Sequence, residues 1–135
     1  MQSFENDSIL IPEDNMSKVY IVQEPLLEKS DVRPPKDFSS LSKYGEVIYL
    51  LHKFDRGTDN PSRVISKLRL GLQNFAEDDY IVNVGSDPVA PVLAGLVLGE
   101  LGIPEFNFLR WERKLNQDGT LSRDGSYIPV KFILP

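Results

Sequence analysis

Five residues stand where the chain leaves apolar runs and carry groups able to hold or transform a ligand: Glu24, His52, Asp55, Ser86 and Asp87. Serine, histidine and aspartate together are the parts of a hydrolase triad, in which an imidazole takes the serine proton and a carboxylate orients the imidazole. Ser86, however, sits in Gly85-Ser86-Asp87-Pro88 and lacks the Gly-x-Ser-x-Gly turn that exposes a nucleophile. His52 is the sole histidine and has no His-x-x-x-His partner, so it reads as a hydrogen-bonded or solvated strand-end residue rather than a metal ligand. The chain contains no cysteine, which excludes disulfides, thiolate-bound zinc, iron–sulfur clusters and cysteine nucleophiles. Asp78-Asp79 reads as a solvated turn rather than a hard-cation site. No metal, cofactor or catalytic residue is expected on these grounds. What remains is a ligand-binding reading of Gly85-Ser86-Asp87-Pro88, where a helix N-terminus would offer free N–H groups to an anion. The same tetrapeptide is explained by capping alone, with Ser86 or Asp87 as cap and Pro88 in the first turn, and Asp87 would repel a phosphate. No Gly-x-Gly-x-x-Gly or Gly-x-x-x-x-Gly-Lys-Ser/Thr motif strengthens a nucleotide reading.

The elements that must position these groups follow from hydrophobic pattern. Val19-Tyr20-Ile21-Val22, closed by Gln23-Glu24-Pro25, is a short buried strand. Residues 26–43, with Pro34-Pro35, read as a long surface loop with one helical turn near 37–42. A second strand covers 46–51 and exits through His52-Lys53-Phe54-Asp55-Arg56-Gly57. Asp59-Asn60-Pro61 starts a helix over 61–75, with Val64, Ile65, Leu68, Leu72 and Phe75 on one face and Arg63, Lys67 and Asn74 on the other. A third strand over 80–84 follows that helix, and the strand–helix–strand order implies a parallel pair, with strand order left open. A fourth strand covers 105–113. Two Asp-Gly pairs, at 118–119 and 124–125, mark a loop before a last strand in which Ile128, Val130, Phe132 and Leu134 alternate on one face. Pro129 makes that strand an edge or a bulge. The expected fold is a single small α/β domain over 16–135. Its order is β-β-α-β-α-β-β, a mixed sheet of about five strands with a parallel centre, a C-terminal antiparallel hairpin and two main helices. In such a sheet the ligand crevice lies beyond the carboxyl ends of the strands, where Glu24, His52, Asp55, Ser86 and Asp87 converge.

The helix expected over 88–101 differs from its predecessor. Val89, Val92, Leu93, Leu96, Val97, Leu98 and Leu101 occupy all sides, and Glu100 is its only charge. A helix apolar all round is expected to be buried all round. At about 21 Å it is too short to span a bilayer, which needs about 20 residues, so protein must cover it. Ala90/Ala94 and Gly95/Gly99, at four-residue spacing, leave smooth strips for close packing. One side goes against the sheet; the other goes under neighbouring elements or to a subunit interface through Val92, Gly95, Leu96 and Gly99.

The 135 residues carry a net charge of −5, but Glu5, Asp7, Glu13 and Asp14 place −4 of it in residues 1–15, which hold no Lys or Arg. The body is nearly neutral, with 16 acids against 15 bases, so neither a nucleic-acid-binding excess nor an acidic mimic is present. Arg110-Trp111-Glu112-Arg113-Lys114 is the one basic, aromatic stretch, and a hairpin strand explains it without nucleic acid. Residues 1–15 lack the basic and apolar regions of a secretory signal and read as a poorly ordered acidic extension, with Met16 as an alternative start. The cytoplasm is the expected compartment.

Four segments carry a resemblance: Ser17-Lys18-Val19-Tyr20-Ile21-Val22-Gln23-Glu24-Pro25, Tyr44-Gly45-Glu46-Val47, residues 79–88, and Trp111-Glu112-Arg113 with Tyr127-Ile128-Pro129-Val130. Together, over about residues 17–134, they resemble small accessory proteins encoded by tailed bacteriophages, although that pattern has Gly-Asp-Pro where this chain inserts Ser86. The resemblance implies a viral protein made in a bacterial cytoplasm and brings no catalytic signature. The expected function is accordingly a non-enzymatic accessory protein acting through protein–protein contacts, self-association first and a host or phage protein second. The alternative is a small-ligand or nucleotide-binding domain using the strand-end residues.

Overall fold

A computed structural model of the chain describes residues 17–25, 38–84 and 87–133; the expected extension, Met16, most of the long loop and Gly85-Ser86 lie outside the described residues. Five strands form one sheet: β1 (Lys18–Gln23), β2 (Glu46–Leu51), β3 (Tyr80–Val82), β4 (Glu105–Leu115) and β5 (Leu121–Ile133). Two helices, α1 (Pro61–Leu72) and α2 (Val89–Glu100), and a short 3-10 helix (Phe38–Lys43) complete the order. The expected sequence of elements holds. Spatial order is β2-β1-β3-β4-β5, with β1 parallel to β2 and β3, β3 parallel to β4, and β5 antiparallel to β4 at the edge.

Alternation in the strands sends side chains to two cores. Tyr20, Val22, Leu51 and Ile81 meet Val64, Leu68 and Leu72 of α1 and Ala90, Leu93, Ala94, Val97 and Leu98 of α2. Val19, Ile21, Val82, Leu109 and Tyr127 face the other way and are covered by Leu41 of the 3-10 helix. Both β–α–β crossovers therefore lie on one face, while the β1–β2 connection reaches the opposite one. That arrangement follows from right-handed crossovers when β2 and β3 flank β1. A fully buried leucine such as Leu68 or Leu72 contributes about 1.5–3 kcal/mol of transfer free energy.

Local chemistry sets the helix starts. Asn60 caps α1 by accepting the Arg63 N–H at 3.2 Å, with Pro61 in the first turn. Asp87 accepts the Val89 N–H at 3.0 Å where α2 begins.

Three expectations need correction. The helix at 89–100 is not buried all round: Val92 is 61% and Leu96 63% exposed, because α1 and the sheet cover one side only. Asp79 is buried rather than solvated; it accepts N–H groups from Lys18 and Ala76, each at 2.9 Å, joining β1 to the turn before β3. The second Asp-Gly pair is not in the loop. Gly125 lies within β5 opposite Arg113, where any Cβ would meet Trp111 at 2.9 Å. Only Asp118-Gly119 turns the chain, and Asp118 closes that turn on the Thr120 N–H at 2.9 Å.

Candidate functional site

The carboxyl ends of β1, β2 and β3 lie side by side, and the chain leaves β1 toward β2 on one flank while β3 sits on the other. A crevice at that reversal is the natural ligand position of an open parallel sheet. Gln23, the last residue of β1, is buried, and its Nε2 donates to the carbonyls of His52, at 3.3 Å, and Asp55. This amide ties β1 to the loop leaving β2. Sequence pattern places Gln23 among the polar residues at the strand ends but not these two bonds, since its acceptors are main-chain carbonyls whose position no side-chain pattern reveals.

Asp55 is fully engaged. Its Oδ2 accepts the His52 N–H at 2.9 Å, and Lys67 of α1 donates to Oδ1 and Oδ2 at 2.9 and 2.8 Å. Partial burial pushes its pKa up, but the Lys67 and His52 hydrogen bonds and the charges of Lys67 and Arg63 outweigh that and hold it below the usual carboxylate value. His52 is exposed, its Nδ1 accepts the Phe54 N–H at 3.3 Å, and its ring lies 5.4 Å from that of Phe54. Asp87 is likewise spent on structure. Its Oδ2 accepts the Gly57 N–H at 2.8 Å while Oδ1 holds Val89, so one carboxylate joins the β2–α1 loop to α2. Gly57 permits this approach, since a Cβ there would fall 2.8 Å from Val89 Cγ1.

Of the five predicted residues, His52 and Asp55 are brought together by a main-chain bond, and Asp87 reaches the same loop through Gly57. Glu24 stands half-buried at the end of β1, where its N–H donates to the Leu51 carbonyl at 2.9 Å. Ser86 lies outside the described residues. The cluster is thus a set of satisfied cross-links between three loops, with Asp87 occupying the N-terminal end of α2 where an anion would sit. Among the described residues no group of three His, Cys, Asp or Glu side chains is placed to hold a metal ion.

Among the described residues, two buried side-chain polar atoms have no hydrogen-bond partner. Asn83 Oδ1 lies just past β3, and the Tyr127 hydroxyl lies in the core opposite the helices. Burial pushes the Tyr127 pKa up to about 12. Its ring takes the edge of Trp111 at 4.9 Å between centroids, so that tryptophan is packed rather than presented as a stacking platform.

The remaining feature is the outer side of α2. Val92 and Leu96 project into solvent, and a Cβ built at Gly95 or Gly99 meets nothing within 4 Å. All four residues expected at an interface therefore share one open face. Among the described residues no helix is long and apolar enough to cross a membrane.

No curated protein and no solved structure matches this chain. A family does: that described as Phage Pam3 gp32-like protein matches residues 17–132, from the residue before β1 to the penultimate residue of β5. The match takes in every described strand and both helices, and the chain belongs to the Phage Pam3 gp32-like family.

Proposed function

We propose that this phage protein is a non-enzymatic accessory module that acts in the host cytoplasm by protein–protein contact, and that its first partner is a second copy docked on the outer face of α2. The observation that carries the reading is the exposure of Val92 and Leu96 beside the unfilled positions of Gly95 and Gly99. A ridge of large apolar side chains next to a groove of glycines is self-complementary. Across a twofold axis, Val92 and Leu96 of one copy enter the Gly95–Gly99 groove of the other, and the reverse contact forms at the same time. No charge opposes that approach, because Glu100, the only charged residue of α2, is paired with Arg69. The strand-end residues support the non-enzymatic half of the reading, since both oxygens of Asp55 and of Asp87 are already bonded within the chain.

Light scattering of the purified chain tests this. A defined oligomer is expected for the unaltered protein, a monomer for Gly95→Leu and Leu96→Glu, and no change for Lys67→Ala. Gly95→Leu is the decisive variant, because the open space at its Cβ leaves the protomer undisturbed. An oligomer mass unaltered by Gly95→Leu, or a monomer throughout, would sink the proposal.

A further inference from the structure

The outer side of α2 is flanked by two different surfaces. α1 lies over β2 and α2 over β1, so β4 and β5 run on past α2 on the side away from α1. On the α1 flank Arg69 bonds Glu100 of α2, and Ser62 and Ser66, seven and three residues earlier, share that exposed polar face. On the other flank the sheet presents aromatic rings. Phe106 and Phe108 border the helix-side core, and Phe132, opposite Phe106 in register, packs against both with ring centroids 5.5 and 5.9 Å away. Phe132 is itself 48% exposed. α2 therefore stands as a step beside an apolar strip.

The groove of α2 is on the side of that strip. Glu100 marks the α1 side of the helix, and at about 100° per residue Leu96 lies only about 40° around from it while Gly95 lies about 140° away. A helix seated in the Gly95–Gly99 groove is thus carried over the aromatic rings. Area argues the same way. One side of a 12-residue helix, about 18 Å long and about 10–12 Å across, offers on the order of 200 Å², whereas a stable interface takes about 800 Å² from each partner. The contact has to spread beyond α2, and spreading over the phenylalanines buries no charge, whereas spreading over α1 buries Arg69 and Glu100. We infer, on the reading that a second copy docks on α2, that the same interface continues across Phe106, Phe108 and Phe132, each α2 lying in the step between the other copy's α2 and its outer strands. Phe132, the most exposed of the three, is the anchor of this continuation.

Sedimentation equilibrium of the full chain separates this continuation from the helix contact it rests on. Phe132→Glu should raise the dissociation constant of the oligomer about tenfold or more, while Ser66→Glu on the opposite flank leaves it within about twofold. Melting temperature checks folding. An oligomer weakened by Gly95→Leu but not by Phe132→Glu overturns the continuation and leaves the helix contact standing, whereas a monomeric unaltered chain removes both. Equal weakening by Ser66→Glu also overturns it, because the interface would then straddle α1. Should Phe132→Glu fail to fold, Phe132→Cys decides, since the chain has no other cysteine. Its alkylation by iodoacetamide should be about tenfold slower in the oligomer than in the same variant carrying Gly95→Leu. Equal rates in the two overturn the inference: equally fast ones leave the strip open in the oligomer, and equally slow ones mean that a single chain covers it.

Discussion

The two helices are of equal length, lie on the same side of the sheet and bury the same kind of stripe, yet they treat water in opposite ways. α1 buries Val64, Leu68 and Leu72 and turns Arg63, Ser66 and Arg69 outward, with Leu70 a lone exposed apolar residue. α2 buries Ala90, Leu93, Ala94, Val97 and Leu98 and turns Val92, Gly95, Leu96 and Gly99 outward. Packing against the sheet accounts for the inner stripe of each. It does not account for the outer face of α2, where large apolar residues gain nothing from the protomer and glycine weakens the helix. The difference separates residues held by the fold from residues available to a partner.

The largest effect should come from reversing the two faces. Leu68→Ala removes a fully buried side chain of α1 and should lower the unfolding free energy by about 2–5 kcal/mol. Leu96→Ala, at 63% exposure, should change it by less than about 0.5 kcal/mol. Urea unfolding of dilute protein, where association is absent, measures both. A loss for Leu96→Ala near that of Leu68→Ala would mean that the outer face is already covered within one chain. Glycine substitutions sharpen the same contrast. Gly57→Ala forces a methyl to 2.8 Å from Val89 at the start of α2 and should cost about 1–3 kcal/mol. Gly95→Ala meets nothing and should stabilise the helix by about 1 kcal/mol.

Much of this contrast is legible in sequence because it is local. The 3.6-residue spacing of Val64, Leu68 and Leu72 marks the inner face of α1, and the near absence of charge through residues 88–101 marks α2 as unusual. What pattern could not supply is long-range. Whether β3 lies beside β1 or beyond β2 depends on crossover handedness and on which face the β1–β2 connection covers. Asp79 looked solvated because its partner, the Lys18 N–H, is 61 residues away. Gly125 looked like a turn because Asp-Gly is a turn signal, whereas its use is to seat Trp111. At the strand ends, the convergence of parallel strands at their carboxyl ends placed His52, Asp55 and Asp87 in one neighbourhood, but not the bonds to Gly57, Lys67 and Gln23 that commit them to structure.

The polar side of α1 offers a smaller test. The Lys67–Asp55 pair anchors α1 to the β2 exit, with only 11% of the Asp55 side chain exposed. Since the Asp55 pKa is lowered in the folded state, its contribution is present above the unfolded value of about 3.9 and is lost as pH falls through the lower folded one. Lys67→Met should therefore cost about 1 kcal/mol at neutral pH and nothing in strong acid, where both proteins carry a protonated Asp55. A cost that persists at low pH would assign Lys67 to packing through its methylene stem instead.

The smallest effect should come from the only ion pair described between the two helices. Arg69 grips Glu100 with two bonds of 2.7 Å, yet both side chains are about half exposed. In water such a pair gains little, because solvation and side-chain entropy offset the attraction. Hydrogen bonding from Arg69 lowers the Glu100 pKa and hydrogen bonding to Glu100 raises that of Arg69, so what coupling exists is lost as pH falls through the folded Glu100 value, below about 4.3. A double-mutant cycle of Arg69→Ala and Glu100→Ala should give a coupling near the limit of detection in low salt and none at about 1 M salt, where the screening length is about 3 Å. Coupling that survives high salt would mean that the pair is shielded from solvent when the protein is assembled. The cycle repeated in Gly95→Leu would then locate the shield: disappearance of the coupling there places it at the outer face of α2, beside which Glu100 lies.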